Sequence, residues 1–227
     1  MYGALSMSDI EVSVVGKYRG QSLGDRVDDR RKKLLEAAFV LLGEQGAAAV
    51  TMRAVTRDAQ LSPRYFYESF PDRADLLVAV FDVALQQLQE RVTMAMSGAS
   101  TDPVLQTRAA FSAVASVFEN DPRIARILLR EALAETAMRD HAYVALSGFI
   151  STTSLNLLDE SWSQQTEPVM LRLDISALAG TTLSLFLDWT EGRLDITQLQ
   201  LVDYLTDTVA GMVRRRQQNA PSRVQLR

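Results

Sequence analysis

The stretch TMRAVTRDAQLSPRYFYESF, residues 51–70, decides the fold class, because it indicates two short helices joined by a tight turn. Thr51 stands where the first helix is expected to begin. Ser62 followed by Pro63 predicts the start of the second, since serine is a favoured N-cap and proline suits the first helical position. The residues around Gln60 leave room only for a short turn between the two.

The second of these helices has two different faces. On a wheel of about 100° per residue, Phe66 and Phe70 lie about 40° apart, so both can anchor the helix to a small core. The opposite side and its flanks carry Arg64, Tyr65, Tyr67 and Glu68. The guanidinium and the two phenols can bind phosphates or base edges. This arrangement fits the DNA-contacting helix of a helix-turn-helix.

An amphipathic helix precedes this pair and is predicted to end at Gly46. Asp28 or Asp29 can cap its start. The basic run of residues 30–33 then falls in the first turn, where the helix dipole disfavours cations, so the run indicates a partner for these charges. On spacing alone, the three helices are equally compatible with a plain three-helix subdomain whose tyrosines are surface residues. The apolar positions of the first helix recur at helical spacing: Leu34, Leu35, Ala38, Phe39, Leu41 and Leu42.

The longer stretch TMRAVTRDAQLSPRYFYESFPDRADLL, residues 51–77, closely resembles the DNA-binding segment of the TetR family of bacterial transcriptional regulators. The resemblance covers about residues 28–81 and rests on a threonine at the start of the second helix and a serine opening the third. The other matching positions are Tyr67, Phe70, Asp72, Arg73, Leu76 and Leu77. The resemblance implies that operator DNA is contacted by Thr51, Arg53, Arg64, Tyr65, Tyr67 and Arg73.

Two positions depart from the family's pattern. Gln60 stands in the turn where the family often has glycine, so it either accepts left-handed geometry at a cost of about 1 kcal/mol or adopts another turn. Pro63 and Arg64 replace the common Lys-Gly, which suggests that Arg64 contacts bases where other members contribute little. These departures bear on which operator sequence is recognised.

Composition limits the remaining possibilities. The 227 residues include no cysteine, and the formal net charge of −4 excludes a generally basic nucleic-acid binder. Charge is unevenly placed: residues 17–73 hold 11 basic and 8 acidic residues, a balance of +3, which leaves −7 for the rest. There is no Gly-rich phosphate loop or Ser elbow and only one histidine, so an enzyme is not predicted, nor is a cofactor or a metal site. The chain has no run of eighteen apolar residues and no signal-like N-terminus, which favours a cytoplasmic protein without a membrane span.

The helical period persists along the chain and predicts an all-α fold of roughly nine helices. We expect a flexible arm over residues 1–26, a helix-turn-helix domain over 27–75, a ligand-binding and dimerisation domain over 76–217 and a frayed tail over 218–227. Within the larger domain, breaks are predicted at 98–103 and 120–122, and a helix is predicted from about Arg139 to about Gln165.

The resemblance implies that the larger domain binds a small molecule and forms a dimer. Aromatic and polar side chains among apolar runs supply candidate ligand contacts: Phe111, Phe118, Arg130, Tyr143, Phe149, Trp162 and Phe186. Aromatic residues at helical spacing are more often plain core, and that alternative stays open for each. The effector is expected to be apolar or aromatic, because the sequence offers no dense charge cluster for a polyanion.

The last two helices carry the pattern of a helix–helix seam. Six residues are spaced four, three, four, three and four apart: Leu171, Ile175, Leu178, Thr182, Leu185 and Trp189. The terminal helix repeats the pattern at Leu205, Val209 and Met212. Two such helices from each subunit would form a four-helix interface about a two-fold axis, and the operator would then be an inverted repeat. Alternatively, both helices belong to the core of a single chain.

These expectations combine into one hypothesis: a sequence-specific DNA-binding regulator, a repressor released from its operator by a small apolar or aromatic ligand. The alternative from another class is a helical protein that binds a protein partner through its C-terminal bundle, with the front helices as a scaffold. Salt-dependent binding to duplex DNA with a sequence preference distinguishes the two.

Overall fold

The computed structural model describes residues 23–157 and 168–219, which contain helices and turns but no strand. The elements are α1 Leu23–Gln45, a 3₁₀ turn Ala47–Ala49, α2 Met52–Asp58, α3 Pro63–Ser69, α4 Arg73–Ser97, α5 Pro103–Asn120, α6 Pro122–Ala125, a π-helix Arg126–Glu131, α7 Ala132–Ala134, α8 Thr136–Leu157, α9 Pro168–Thr190 and α10 Gln198–Asn219. The predicted all-α class is confirmed.

Helix α1 differs from its prediction at the start. It already runs at Leu23, so the predicted cap at Asp28 or Asp29 is wrong, and the proposed boundary at residue 27 falls inside the helix. Asp29 instead pairs with Lys33 one turn later, at 2.9 Å. The basic run of residues 30–33 therefore lies inside the helix, away from the unfavourable end of the dipole. The predicted end is confirmed: Gly46 follows the helix with φ 88°.

The turn between α2 and α3 contains Gln60 at the position where the TetR family often has glycine. Gln60 adopts the left-handed conformation with φ 55°, the first of the two alternatives. Thr51 caps α2 through its hydroxyl oxygen, which accepts a hydrogen bond from the Ala54 N–H at 3.2 Å. Ser62 is the N-cap of α3 and Pro63 occupies its first turn, as predicted, although the Ser62 side chain makes no capping bond.

One continuous apolar cluster joins the small front helices to the rest of the chain. Phe66 and Phe70 are buried in it from α3, and Leu34 is buried in it from α1. Helix α4 begins beside these residues and contributes Leu77 and Phe81 to the same cluster. Because α4 is shared, movement of α4 in the body can be transmitted to the front helices.

The segment between α5 and α8 was not predicted. Helix α5 ends at Asn120, and Asp121 caps the short α6 by accepting from the Arg123 N–H at 3.1 Å. The chain continues as the π-helix and α7, so the helix predicted from about Arg139 begins three residues earlier, at Thr136. Its predicted end near Gln165 lies outside the described residues. A π-helix often marks a functional position, because its widened turn is less stable than an α-helix.

Helix α9 is the most apolar long helix described. Its stretch Val169–Thr190 is long and apolar enough to cross a membrane by length and composition, although the sequence contains no uninterrupted run of eighteen apolar residues. One such helix is weak evidence of a membrane span, because core helices of soluble proteins share these properties. Only 11% of its most apolar 18 residues are buried within the chain, and many of the others are half-buried, so α9 leaves part of its apolar surface uncovered.

Candidate nucleic-acid interface and effector site

Helix α3 presents its polar side chains to solvent while its phenylalanines hold it in place. Phe66 and Phe70 are each 1% exposed, whereas the Arg64 side chain is 84% exposed and Tyr67 is 62% exposed. The burial pattern agrees with the two faces predicted from the helical wheel. Two further predicted DNA contacts, Thr51 and Arg53 at the start of α2, are also exposed.

Tyr65 is half-buried, because a guanidinium from α1 covers it. The Arg30 guanidinium carbon lies 4.4 Å from the centre of the Tyr65 ring, a cation–π contact. The neighbouring Arg31 donates from Nη1 to the Ser69 carbonyl oxygen at 2.6 Å and lies 4.2 Å from the centre of the Phe70 ring. Two residues of the basic run thus brace α3 against α1, which answers why cations gather at this point of the helix.

A carboxylate lies among these cations. Glu68 accepts from Arg64 Nε through Oε1 at 2.8 Å, and its other oxygen is 3.9 Å from Arg30 Nη2. Sequence reasoning placed Glu68 on the polar face without assigning it a role. The spacing of four residues between Arg64 and Glu68 was the available signal, since side chains so spaced are neighbours on a helix.

Arg73 differs from the other predicted DNA contacts. Its Nε donates to the Val50 carbonyl at 2.8 Å, and its Nη2 donates to the Ala47 carbonyl at 2.6 Å and to Glu135 Oε2 at 3.2 Å. The guanidinium is therefore occupied by groups of its own chain at the start of α4. This geometry favours a bracing role for Arg73 over the predicted contact with DNA.

A second bond fixes the same turn from the body. Glu131, at the end of the π-helix, accepts from the Ala47 N–H at 3.0 Å and from Arg126 Nε at 3.0 Å. Arg126 in turn donates to the Glu44 carbonyl at 2.9 Å. The N–H and the carbonyl of Ala47 are thus both held by side chains from outside the front helices. No periodic pattern in the sequence predicts the contact between Glu131 and Ala47, which lie 84 positions apart.

The body contains a cavity of about 620 Å³ between α4 and α8. None of the described residues that line it is charged. Its wall combines apolar and small side chains with an amide and several hydroxyls: Leu85, Gln89, Val92, Thr93, Met96, Ser97, Ala145, Gly148, Phe149, Thr152 and Thr153. Such a composition suits a largely apolar small molecule with a few neutral polar groups.

Of the six predicted ligand contacts that the structure describes, one lines this cavity. Phe149 lines the cavity, but Phe118 and Phe186 are buried together edge to face, with ring centres 5.5 Å apart, and act as core. The other members are dispersed: Phe111 is half-buried against the core, Arg130 and Tyr143 are exposed, and Trp162 lies outside the described residues.

Among the predicted aromatic residues, only Phe149 is in the described lining of this cavity, and small side chains are the more informative signal. Space beside α8 arises where its side chains are small, at Ala145 and Gly148, and a β-carbon added to Gly148 would meet no atom within 4 Å. On α4, the polar pair Gln89 and Thr93 interrupts an apolar face four residues apart. A pattern of small residues on one helix facing neutral polar residues on another would have indicated the position of the cavity better than aromatic residues did.

A histidine–aspartate pair joins α4 and α8 beside the cavity. His141 Nε2 and Asp82 Oδ1 are 2.6 Å apart, and the His141 ring packs edge to face on Phe81 at 5.7 Å. Asp82 and His141 lie one helical turn before the first cavity residues, Leu85 and Ala145. The pair therefore fixes the two helices to each other at one end of the cavity.

The predicted dimer residues divide into two groups. Leu205 is fully buried within the chain, so it belongs to the core and is not available to a partner. The hydroxyl oxygen of Thr182 is also buried, and it has no hydrogen-bond partner among the described residues. The remaining positions are half-buried and keep some accessible surface: Leu171, Ile175, Leu178, Leu185, Trp189, Val209 and Met212.

The front helices define the class of the protein: a short helix, a tight turn and an exposed polar helix braced on a third helix constitute a helix-turn-helix DNA-binding domain. Residues 34–80 match the family described as bacterial regulatory proteins, tetR family. The match falls on the DNA-binding helices and agrees with the resemblance noted in the sequence.

Relatives extend the match unevenly along the chain. The chain is 38% identical over 72 residues to the HTH-type transcriptional regulator BetI of Rhizobium meliloti (strain 1021). The aligned region covers 32% of this chain and 36% of BetI. It is 24% identical over 172 residues to the HTH-type transcriptional repressor KstR of Rhodococcus jostii (strain RHA1), which covers 75% of this chain and 77% of KstR. The chain thus spans about a third of BetI and about three quarters of KstR.

The fold is also similar to that of a solved regulator. The transcriptional regulator FadR from Bacillus subtilis, solved in complex with stearoyl-CoA, aligns with a TM-score of 0.63 at 15% identity. The alignment covers 78% of this chain and 96% of that structure. At this identity the likeness concerns the fold, and it includes the helical body as well as the DNA-binding domain.

Proposed function

We propose that the protein is a sequence-specific transcriptional regulator, a repressor that leaves its operator when a small, largely apolar ligand binds between α4 and α8. The observation that carries the proposal is α3, whose two phenylalanines are buried while Arg64 and Tyr67 face solvent. A solvated helix without a partner has no need of this set of side chains. The relative KstR is named a repressor, which supports the direction of the effect.

The proposed DNA contacts come from the starts of α2 and α3. Thr51 and Tyr67 carry hydroxyls that can donate to phosphates, and Arg53 adds a cation beside them. Arg64 is the most exposed cation of α3 and is proposed to contact bases. Tyr65, held under Arg30, can present its ring edge and hydroxyl to the same groove. The local charge of +3 over residues 17–73 supports attraction to DNA despite the acidic body.

The effector is proposed to bind in the cavity between α4 and α8. No charged group lines it among the described residues, so the buried part of the ligand is uncharged; burying an unpaired charge there would be costly. Gln89 and the lining hydroxyls can bind one or two neutral polar groups. FadR from Bacillus subtilis was solved with stearoyl-CoA, whose acyl chain is an example of a long apolar moiety in a protein of similar fold.

Helix α4 provides a physical route from the cavity to the DNA-binding helices. It begins at Arg73, which holds the Ala47 and Val50 carbonyls, and its later turns line the cavity from Leu85 onward. A ligand that prefers a wider separation of α4 and α8 shifts α4, and Arg73 carries that shift to the turn before α2. The coupling is reciprocal, so operator DNA must weaken ligand binding by the same factor.

We further propose a two-fold dimer built on α9 and α10, acting in the cytoplasm on an operator that is an inverted repeat. The uncovered apolar surface of α9 supports this, because exposed apolar patches of that extent mark interaction sites. Residues that are exposed on α9 include Val169, Met170 and Leu173. In this arrangement residues 27–75 form the DNA-binding domain and 76–217 the ligand-binding and dimerisation domain, with α4 continuous between them.

Selection of preferred duplexes from a random pool tests the proposal directly. We expect enrichment of an inverted repeat, salt-dependent binding, and release of the selected DNA by an apolar compound that also raises the melting temperature of the protein. A protein that enriches no sequence, yet binds a protein partner through α9, would overturn the proposal. A ligand that saturates the protein without changing operator affinity would overturn the inducer part alone.

A further inference from the structure

The surface proposed to meet DNA contains a carboxylate, which requires an explanation. Glu68 lies on the exposed side of α3 with 37% of its side chain accessible. A carboxylate near the phosphate backbone opposes binding to every DNA sequence equally, because phosphates are negatively charged throughout the duplex. Its benefit must therefore lie in something other than general affinity.

Stability of the fold does not account for Glu68. Its closest ion pair joins it to Arg64, whose side chain is 84% exposed, and exposed pairs contribute little to folding. Its second cation, Arg30, is already held by the Tyr65 ring. Glu68 therefore acts chiefly on the position of Arg64.

The way in which Arg64 is held leaves a particular edge free. Only its Nε is bound, at 2.8 Å from Glu68 Oε1; within the described part of the chain, the two terminal nitrogens have no hydrogen-bond partner. A guanidinium held through Nε keeps two parallel N–H donors at its end. Two such donors match the O6 and N7 acceptors of guanine in the major groove, a bidentate contact that no other base offers.

We propose that Glu68 is a positioning residue that holds Arg64 by its Nε so that the two terminal nitrogens bind O6 and N7 of one guanine in each operator half-site. Arg30 completes the arrangement. Its guanidinium packs on the Tyr65 ring, and its Nη2 lies 3.9 Å from the second carboxylate oxygen of Glu68. The inference rests on the proposed DNA-binding function and adds the base, the contact and the residue that orients it. In this arrangement Glu68 lowers affinity for DNA in general and raises discrimination for guanine.

The test compares base discrimination with general affinity. The wild type is first used to select DNA from a random pool. Each base pair of the selected half-site is then replaced in turn, and the affinity for each altered DNA is measured by competition binding. We expect one guanine whose replacement by adenine weakens the wild type by roughly 5-fold to 100-fold, the range of a bidentate contact. Arg64→Ala is expected to abolish this preference at that position and leave the others intact.

Glu68→Gln weakens the hold on Arg64 Nε, because a neutral amide oxygen is a weaker acceptor for a guanidinium than a carboxylate is. We expect it to bind mixed-sequence DNA more tightly than the wild type while its preference for guanine falls several-fold. The matched control is Glu36→Gln, which removes the same charge from an exposed pair with Lys32 on α1. The control is expected to keep the full guanine preference. Melting temperatures of all variants identify any loss of folding.

The outcomes are distinguishable. If the wild type enriches no sequence, the proposed function fails and this inference fails with it. If it enriches an operator but Arg64→Ala leaves every guanine preference unchanged, or Glu68→Gln discriminates as well as the wild type, the regulator stands and the inference is overturned. Equal loss of discrimination in Glu68→Gln and Glu36→Gln would also overturn it, because charge alone would then explain the effect.

Discussion

The carboxylate of Glu131 accepts a hydrogen bond from the backbone N–H of Ala47 at 3.0 Å, and both residues are buried. Ala47 lies in the turn between α1 and α2, whereas Glu131 ends the π-helix of the body. A single buried bond therefore links the body to the turn that leads into the DNA-binding helices. The opposite side of the same residue, the Ala47 carbonyl, is held by Arg73 of α4.

Removing the Glu131 carboxylate should destabilise the protein. In Glu131→Ala the Ala47 N–H and the Arg126 Nε lose their acceptor, while Arg126 Nη1 keeps the Glu44 carbonyl; a buried unsatisfied donor costs about 1–3 kcal/mol. Urea unfolding measures the loss. Glu131→Gln retains an amide oxygen as acceptor and should lose less free energy of unfolding.

The control Glu90→Ala removes an exposed carboxylate of α4 and should change the free energy of unfolding little. Equal losses for Glu131→Ala and Glu90→Ala would contradict a stabilising role for the bond between Glu131 and Ala47.

Arg73→Ala should lower stability as well as operator binding. The Val50 and Ala47 carbonyls lose the Arg73 guanidinium as a donor, although the Ala47 carbonyl keeps the Val50 N–H at 3.1 Å, and we expect a cost of about 1–2 kcal/mol in urea unfolding. A residue that only contacts phosphate would instead weaken DNA binding without changing the free energy of unfolding. Arg53→Ala serves as the comparison, since Arg53 is an exposed predicted contact of α2. If Arg73→Ala and Arg53→Ala are equally stable, Arg73 contacts DNA as the sequence suggested.

Filling the cavity should abolish the ligand response without harming the fold. Gly148 lies on its wall with open space beside it, so Gly148→Leu places a side chain where the ligand is proposed to bind. Replacing a mid-helix glycine also favours the helix, by up to about 1 kcal/mol. The melting temperature should hold or rise, while the ligand-induced shift disappears.

Gly148→Ala is the matched control for that prediction, because it gives a similar gain in helix propensity with little added volume. We expect it to retain ligand binding and release of DNA. A Gly148→Leu protein that responds to the same ligand at the same concentration would place the effector elsewhere in the body.

The sequence predicted the parts of the structure that depend on local rules. The start of α2 at Thr51, the buried pair Phe66 and Phe70 and the all-helical class follow from spacing and propensity. The prediction of a cap at Asp28 or Asp29 was wrong. It considered only the apolar period that follows these residues, whereas the helix already begins at Leu23 and both aspartates lie inside it. Local rules say little about contacts between distant elements.

The cavity and the Glu131 bond belong to the part that could not be predicted. Free space depends on where two helices separate, and aromatic content does not report it: Phe118 and Phe186 pack on each other, while Gly148 borders the opening. Similarly, the bond between Glu131 and Ala47 joins residues 84 positions apart, a distance over which no periodic pattern operates. The fold class and the two faces of α3 were thus predictable from residues and their neighbours, whereas the cavity and the Glu131 bond were not.

Stability at acid pH should depend on Asp121, the cap of α6. Hydrogen bonds from the Arg123 side chain lower the pKa of the Asp121 carboxyl below its ordinary value of 3.8. Because the folded pKa is depressed, this contribution is fully present above pH 3.8 and is lost as the pH falls through the folded value. Asp121→Asn should therefore be less stable than the wild type at neutral pH, with a difference that shrinks below pH 3.8.

Chemical denaturation between pH 7 and pH 3 measures that difference for Asp121→Asn and for Asp140→Asn, an exposed carboxylate of α8. Asp140→Asn should follow the wild type throughout. A gap between wild type and Asp121→Asn that stays constant, or widens toward low pH, would show that the Arg123 contact does not act through the charge of Asp121.

Two charges placed on α9 should separate the proposed dimer. Leu178 and Leu185 are half-buried on a helix in which only 11% of the most apolar 18 residues are buried within the chain. Burying an arginine without a counter-charge is costly, so Leu178→Arg combined with Leu185→Arg should sediment as a monomer where the wild type sediments as a dimer. The affinity of this double variant for the operator should also fall, because each monomer then binds one half-site alone.

The control, Tyr143→Arg combined with Val144→Arg, adds the same charge at exposed positions of α8 and should remain dimeric. Circular dichroism confirms that both double variants are folded. A folded wild-type monomer at micromolar concentration, or a dimer that survives the α9 substitutions, would show that α9 is covered in another way.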